Sequence, residues 1–312
     1  MKITNHYNLP EPIVKRLEAD IYEPDLNRIG VTTLIDAPLV RHLRIKHWDE
    51  LEEDASERLW ALLGSAVHYL FDNKPFTANR LTEERLELKH PSGLTIVGYN
   101  DDYADGVLTD YKVTSVWSYI FGKTSWDKQL NVLAYLLEQN GFAVNKAQIC
   151  LLLRDWQLRR AETESDYPKQ PIAIVDIPLW STDQRRAYID ERIKIHQSIP
   201  VPECTAEDKW ERPTTYAVKK KGHKRALRVF DKFEDAQEFL KTSSDIIETS
   251  IETRKGEMVR CQSYCPVRQF CPFCEYVEKS DEAEENQRTI PRNGRPEEDY
   301  ERFNVPQNRK RG

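Results

Sequence analysis

The stretch GYNDDYADGVLTDYKVTS, residues 98 to 115, places Asp101, Asp102, Asp105 and Asp110 within ten positions, and Lys112 follows two residues after the last. Carboxylates held together repel one another, and a divalent cation relieves that cost. A protonated lysine does not ligate a metal, but it can orient or help deprotonate a water beside one. If GLTIVGYN and GVLTDYKV pair as an antiparallel hairpin, alternation points Asp110 and Lys112 the same way, with Tyr111 opposite. Asp101, at the end of the first strand, then lies beside Asp110. The layout suits metal-assisted hydrolysis of a phosphodiester. Asp102 and Asp105, within DDYADG, read instead as turn-formers.

The elements needed to hold these residues are readable around them. SERLWALLGSAVHYLFD, residues 56 to 72, reads as a helix, with Leu59, Leu62, Leu63, Val67 and Leu70 at three- and four-residue spacing. RLTEERLELKH is strand-like, and PSG and DDYADG supply turns. SWDKQLNVLAYLLEQNG is a helix closed by Asn-Gly. KAQICLLLRDW and PIAIVDIPLW read as buried strands, and TDQRRAYIDERIKIHQSI as a polar-faced helix. Residues 11 to 21 and 31 to 48 look helical or mixed, and the threonines of VTTLIDAPL are placed to cap a helix. Beyond Cys204, strand-like TTYAVKK, ALRVF and IIETSIETRK surround a helix, DKFEDAQEFLK. The reading is an α/β chain with a mixed central sheet flanked by helices and a small C-terminal α+β lobe.

GYND followed by LTDYKVTS resembles the core of the PD-(D/E)XK nuclease superfamily, in its RecB-like exonuclease branch, which reads Gly-x-x-Asp, a turn, then Asp-Tyr-Lys-Thr. The resemblance implies a restriction-endonuclease-like core in which Asp101 and Asp110 are acidic metal ligands, the Tyr111 carbonyl is a further ligand, and Lys112 is the catalytic lysine. Val113 stands where the family usually has threonine. GSAVH, residues 64 to 68, resembles the family's Gly-x-x-x-His, which implies that His68 completes the metal shell. Gln129 in QLNVLAY matches the first residue of the family's Gln-x-x-x-Tyr helix. Leu133 occupies the tyrosine position; Tyr135 comes two residues later, about 200° around the helix. Glu84 and Glu87 could reach the site from the preceding strand, or lie on a solvated strand face. These motifs cover roughly residues 55 to 140.

Six cysteines in a chain read as cytosolic point to metal or redox chemistry rather than disulfides. Cys150, in AQICLLLRDW, reads as a core residue. Four others crowd into CQSYCPVRQFCPFC. In several RecB-like nucleases, of the AddB and CRISPR-adaptation types, one distant cysteine and three C-terminal ones hold a [4Fe–4S] cluster. That resemblance implies Cys204, Cys261, Cys265 and Cys271 as ligands, with Cys274 a spare thiol or a replacement. Here Cys204 follows the core, whereas in those relatives the first cysteine precedes it. Four thiolates also suit a structural zinc, and Cys271-Pro-Phe-Cys274 has a zinc-knuckle spacing.

A net charge of −6 argues against a generic nucleic-acid coat but leaves room for a local DNA groove. AVKKKGHKRALR carries Lys219, Lys220, Lys221, Lys224, Arg225 and Arg228 without an acid, and reads as a phosphate-binding surface or a solvated hairpin. Trp117, Tyr119, Phe121, Lys123 and Trp126 follow the lysine strand; helix packing accounts for most of them, with DNA contact the alternative. No apolar run reaches the roughly 20 residues of a membrane span, and no secretory h-region is visible, so the expectation is a cytoplasmic chain.

The expected organisation is an N-terminal helical region (1–54), a RecB-like nuclease core (55–200), a cysteine-metal lobe (201–278) and a charged, disordered or partner-dependent tail (279–312). The expected activity is that of an Mg²⁺- or Mn²⁺-dependent deoxyribonuclease. It would act on DNA that is single-stranded or has free ends, as an exonuclease serving recombination, repair or replication of a phage or mobile element, with replication or recombination proteins as partners of the tail. The alternative is a DNA-end-binding or adaptor subunit, weak as a nuclease, inside a recombination, replication or CRISPR-adaptation complex.

Overall fold

The computed structural model describes residues 1–72, 80–223, 225–242 and 249–274; the tail beyond 279 and Lys224 lie outside the described residues. The chain divides into two compact units, Met1–Cys204 and Thr205–Gly312. A mixed six-stranded sheet forms the centre of the first. Lys146–Leu153 (KAQICLLL) is a near-continuous apolar run, and such a run belongs inside a sheet covered on both faces. It pairs in parallel with Val107–Thr114 on one side and antiparallel with Ile172–Ile177 on the other. Ile172–Ile177, whose apolar run predicts a buried strand, is instead the sheet's edge, and Ile172 and Ile174 face outward, more than half exposed.

Thr95–Ala104 decides the shape of the site because it serves three neighbours. Arg80–Lys89 runs antiparallel along one side of it. On the other side its first residues, Thr95 to Val97, pair in parallel with Arg28–Gly30, while only Asp102 to Ala104 pair with Val107–Thr109. Past Thr109 the hairpin strands carry no further paired residues, so Asn100 and Asp101 face Asp110 and Tyr111 across an open fork. Asp105 and Gly106 turn the hairpin with φ of 49° and 85°, as a two-residue Asp-Gly connection requires. Asp102 is not a turn residue: it lies within the strand, buried, and takes a two-pronged ion pair from Arg80 at 2.6 and 2.8 Å.

Two helices close over the fork. Asp54 accepts from the Ser56 backbone N–H (3.0 Å) and starts the turn that leads into the histidine helix, Leu59–Asp72. The glutamine helix, Thr124–Gln139, packs Leu130, Leu133, Leu136 and Leu137 into the core and ends at Asn140-Gly141, with Gly141 at φ 90°. Gly98 is required there: a Cβ would sit 2.7 Å from Leu133 and 2.8 Å from Val31. The short helix Val31–Leu34 begins after Gly30 without a side-chain cap, so the threonines expected to cap it do not. Because residues 28–30 add a strand to the sheet, the N-terminal region belongs to the same unit as the core.

The second unit holds a three-stranded antiparallel sheet ordered Arg228–Phe230, Thr215–Lys220, Thr249–Arg254, with the helix Phe233–Thr242 against it. Among the described residues no helix is long and apolar enough to cross a membrane.

Helix Thr182–His196 begins with a Ser181/Gln184 capping box, and its last turn ties the N-terminal segment to the core. Arg192 donates to the carbonyls of Leu34 (2.9 Å) and Asp36 (2.5 Å), and His196 donates from Nε2 to Leu34 (3.0 Å). Its Nδ1 is buried without a partner among the described residues, as suits a neutral ring. Burial, against the help of the Leu34 carbonyl, pushes the His196 pKa down to about 4. Between about 4 and 6.5 the unfolded chain therefore binds a proton that the folded chain refuses, and stability falls as pH falls through that window. The expected slope from this residue is at most about 1.4 kcal/mol per pH unit. Chemical denaturation of the protein and of His196→Gln at pH 7, 6, 5 and 4 checks it: the stability difference between them should change with pH, and parallel curves would refute the assignment.

Candidate active site

The fork gathers most of the residues singled out by their chemistry. His68 faces two carboxylates, with Nδ1 2.9 Å from Glu83 Oε1 and 3.5 Å from Asp101 Oδ1. One ligand atom from each of His68, Glu83 and Asp101 lies within 4.8 Å of the others. The other oxygen of Asp101 accepts from the Tyr111 backbone N–H at 2.7 Å, so the side chain fills the gap left by the missing ladder bond. Tyr111 itself turns away and stacks on Phe71 of the histidine helix, with ring centroids 4.5 Å apart.

Asp110 is 2% exposed. Its Oδ1 accepts from Lys112 Nζ (3.0 Å) and Gln129 Nε2 (3.2 Å), while Oδ2 is buried with no hydrogen-bond partner among the described residues. A buried carboxylate oxygen without a donor is costly and calls for a cation or proton. The electrostatics agree. Burial first, then the charge of Asp110, pushes the Asp101 pKa up to about 7. Burial likewise raises Asp110, against the pull of Lys112, and the hydrogen bond to Glu83 foremost raises His68. Three acids thus crowd around one imidazole and the Lys112 ammonium, where a divalent cation would satisfy them.

Sequence reasoning misses Glu83 and weighs Glu84 and Glu87 instead. Both of those are exposed, and Glu87 pairs with Arg85. Glu83 stands directly opposite Asp101 in register, between the pairs Thr82–Asp102 and Glu84–Asn100, and its φ of 51° lies in the left-handed region. That conformation costs a non-glycine residue about 1–3 kcal/mol. It breaks the simple alternation by which the strand is read. The usable signal is the register: once Asp101 is fixed, the residue across from it is an acid.

The glutamine helix places Gln129 on Asp110, whereas Leu133 is core and Tyr135 packs against the core. Among the aromatics after the lysine strand, Trp126 is buried and Trp117 stacks on Phe121 (5.8 Å). In the second unit, Lys219 pairs with Glu252 at 2.8 Å, so the basic run is not free of acid in space; the Arg228 guanidinium lies 5.1 and 5.7 Å from the rings of Phe230 and Phe239. Lys220 ends its strand, and Lys221 and Arg225 are exposed in the turn region.

Cys261, on the helix Val259–Ser263, has its thiol pKa raised by burial and then by the charges of Cys274, Cys265 and Cys271, so these four thiols form one group. Cys204 is the last residue of the first unit. Among the described residues no three of these sulfurs come within 4.8 Å of one another. Sulfurs around one tetrahedral zinc would stand about 3.8 Å apart, given Zn–S bonds of about 2.3 Å. Cys150 is buried, as expected.

No protein-family model matches the chain, and no curated protein matches it. Among solved structures it is similar to the crystal structure of SSO0001, at 18% identity over 60% of this chain and 86% of that one, with a TM-score of 0.41. So loose a likeness carries no functional argument.

The crowding of charge predicts that Asp101→Asn stabilises the protein. At pH 8 with a chelator present, the gain should be about 1–3 kcal/mol, because an ionised carboxylate leaves a site that resists it. Adding millimolar Mn²⁺ should erase the gain by stabilising the parent chain alone. Thermal unfolding of both proteins with and without the ion checks this; an Asp101→Asn chain that melts lower under chelation would contradict it.

Proposed function

We propose that the first unit is a divalent-metal-dependent deoxyribonuclease of PD-(D/E)XK type acting at DNA ends. The observation that carries this is the partnerless, buried Oδ2 of Asp110 beside the His68–Glu83–Asp101 group. His68, Glu83, Asp101 and Asp110 would hold Mg²⁺ or Mn²⁺; oxygen-rich donors with one imidazole suit these ions. When bound, the ion would supply Lewis-acid stabilisation of the charge that builds on a phosphate.

The chain's own groups do the remainder. Gln129 and Lys112 both donate to Oδ1 of Asp110 and fix that carboxylate with Oδ2 left to coordinate. The Tyr111 N–H does the same for Asp101. The Tyr111 carbonyl, expected as a ligand from the resemblance, remains part of the proposal. Lys112, partly exposed at the fork, is placed to orient an attacking water and to offset negative charge on the phosphate.

In the second unit, Cys261, Cys265, Cys271 and Cys274 would hold a structural [4Fe–4S] cluster, whose bulk suits thiols set wider apart than a zinc site requires. Cys204 is the alternative fourth ligand. Anaerobic purification with iron and zinc analysis of the parent, Cys274→Ser and Cys204→Ser separates these. Iron loss and bleaching of the visible band on Cys274→Ser alone is the expected outcome, and stoichiometric zinc would overturn the cluster.

End-labelled linear DNA with Mn²⁺ tests the hydrolase. The parent should shorten it from the ends, chelation should stop the reaction, and Lys112→Ala should lower the rate by at least about 10²-fold. Undiminished digestion by Lys112→Ala would remove the mechanism; binding of ends without cleavage would favour an adaptor role.

A further inference from the structure

We infer that Lys123 and Arg154, backed by Trp60, form a second phosphate site that grips a single DNA strand one or more nucleotides away from the fork; the inference rests on the hydrolase reading. Val107–Thr114 and Lys146–Leu153 run in parallel and end together, with Thr114 opposite Leu153. Arg154 is the next residue, and its backbone N–H donates to Thr114 O at 2.9 Å. Lys112 and Arg154 therefore stand at the carboxyl ends of adjacent parallel strands, where α/β sheets bind ligands. Lys123 immediately precedes the glutamine helix, which carries Gln129 to Asp110.

Lys123 and Arg154 thus gather near Lys112, which among the described residues is the member of the three that pairs with an acid, Asp110. Among the described residues neither Lys123 nor Arg154 makes an ion pair with a carboxylate, and both are exposed. Asp155, next in sequence, is occupied capping the helix Val116–Phe121 through the Val116 N–H at 2.7 Å. Asp127 lies one helical turn past Lys123, with its pKa raised by burial. Lys123 extends an exposed side chain but draws its ammonium against neighbours, 6.0 Å from the Trp126 ring centre. That burial, then the like charges of Arg154 and Lys112, holds its pKa below the usual lysine value. Like charges gathered in this way are relieved by an anion.

The Arg154 guanidinium lies 3.9 Å from the centre of the Trp60 ring, which orients its fork. Trp60 is 55% exposed and sits eight residues, about two turns, before His68 on the histidine helix. An exposed indole beside a guanidinium suits a single strand, with a phosphate on the cation and a base on the ring.

The test measures binding of a fluorescent single-stranded oligonucleotide to the full chain in Ca²⁺, at several KCl concentrations, for the parent, Lys123→Gln, Arg154→Gln and the double variant. Each single variant should reduce the slope of log K against log salt by about 0.7 and weaken binding several-fold, and the double variant should lose both contributions. Unchanged slopes would overturn the inference. Circular dichroism confirms folding, and manganese-dependent cleavage by the parent is scored alongside. Cleavage with unchanged slopes sinks the second site and leaves the hydrolase; altered slopes without cleavage sink the hydrolase and leave a strand-binding surface.

Discussion

The site is organised by an unfavourable contact: Asp101 and Asp110 are held together, mostly out of water, with Glu83 beside them. Carboxylates do not gather in that way unless folding elsewhere over-determines their positions. The determinants are visible. Strand Thr95–Ala104 is gripped on one edge along its length except at Asp101, opposite Glu83, and on the other only at its two ends, which opens the fork at Asp101. Two helices then bring His68 and Gln129 to the opening, the glutamine helix anchored by its buried leucines and the histidine helix by the stack of Phe71 on Tyr111. The core of leucines under the glutamine helix and the Gly98–Leu133 contact hold the arrangement in place.

The cost is local. Arg80 neutralises Asp102 on the neighbouring position and keeps that fourth acid out of the cluster. Lys112 offsets one charge but leaves an oxygen of Asp110 without a donor. A chain selected only for stability would place neutral or apolar groups there, and this surplus of acid is what supports the proposal of a cation-binding site.

Much of this is legible in the sequence because it depends on short-range rules. Period-two alternation puts Asp110 and Lys112 on one side, helical spacing defines the elements bearing His68 and Gln129, and Asp-Gly marks the turn. The features that escape depend on partners far along the chain or on broken periodicity. Asp102 looks like a loop acid because Arg80, its neutraliser, lies 22 residues earlier. Lys219 looks unopposed because Glu252 approaches from a strand 33 residues later. Glu83 is invisible to alternation because its left-handed backbone interrupts the strand. The apolar run of Ile172–Ile177 does not announce that it forms an edge, since period and composition alone do not separate an edge from an interior strand.

The most direct test of the central claim is anomalous diffraction from crystals of the full chain soaked in Mn²⁺. The account predicts a manganese peak enclosed by the His68 imidazole and the carboxylates of Glu83, Asp101 and Asp110, with Oδ2 of Asp110 facing the ion. Crystals at saturating Mn²⁺ in which those four side chains stay together around no metal peak would contradict it.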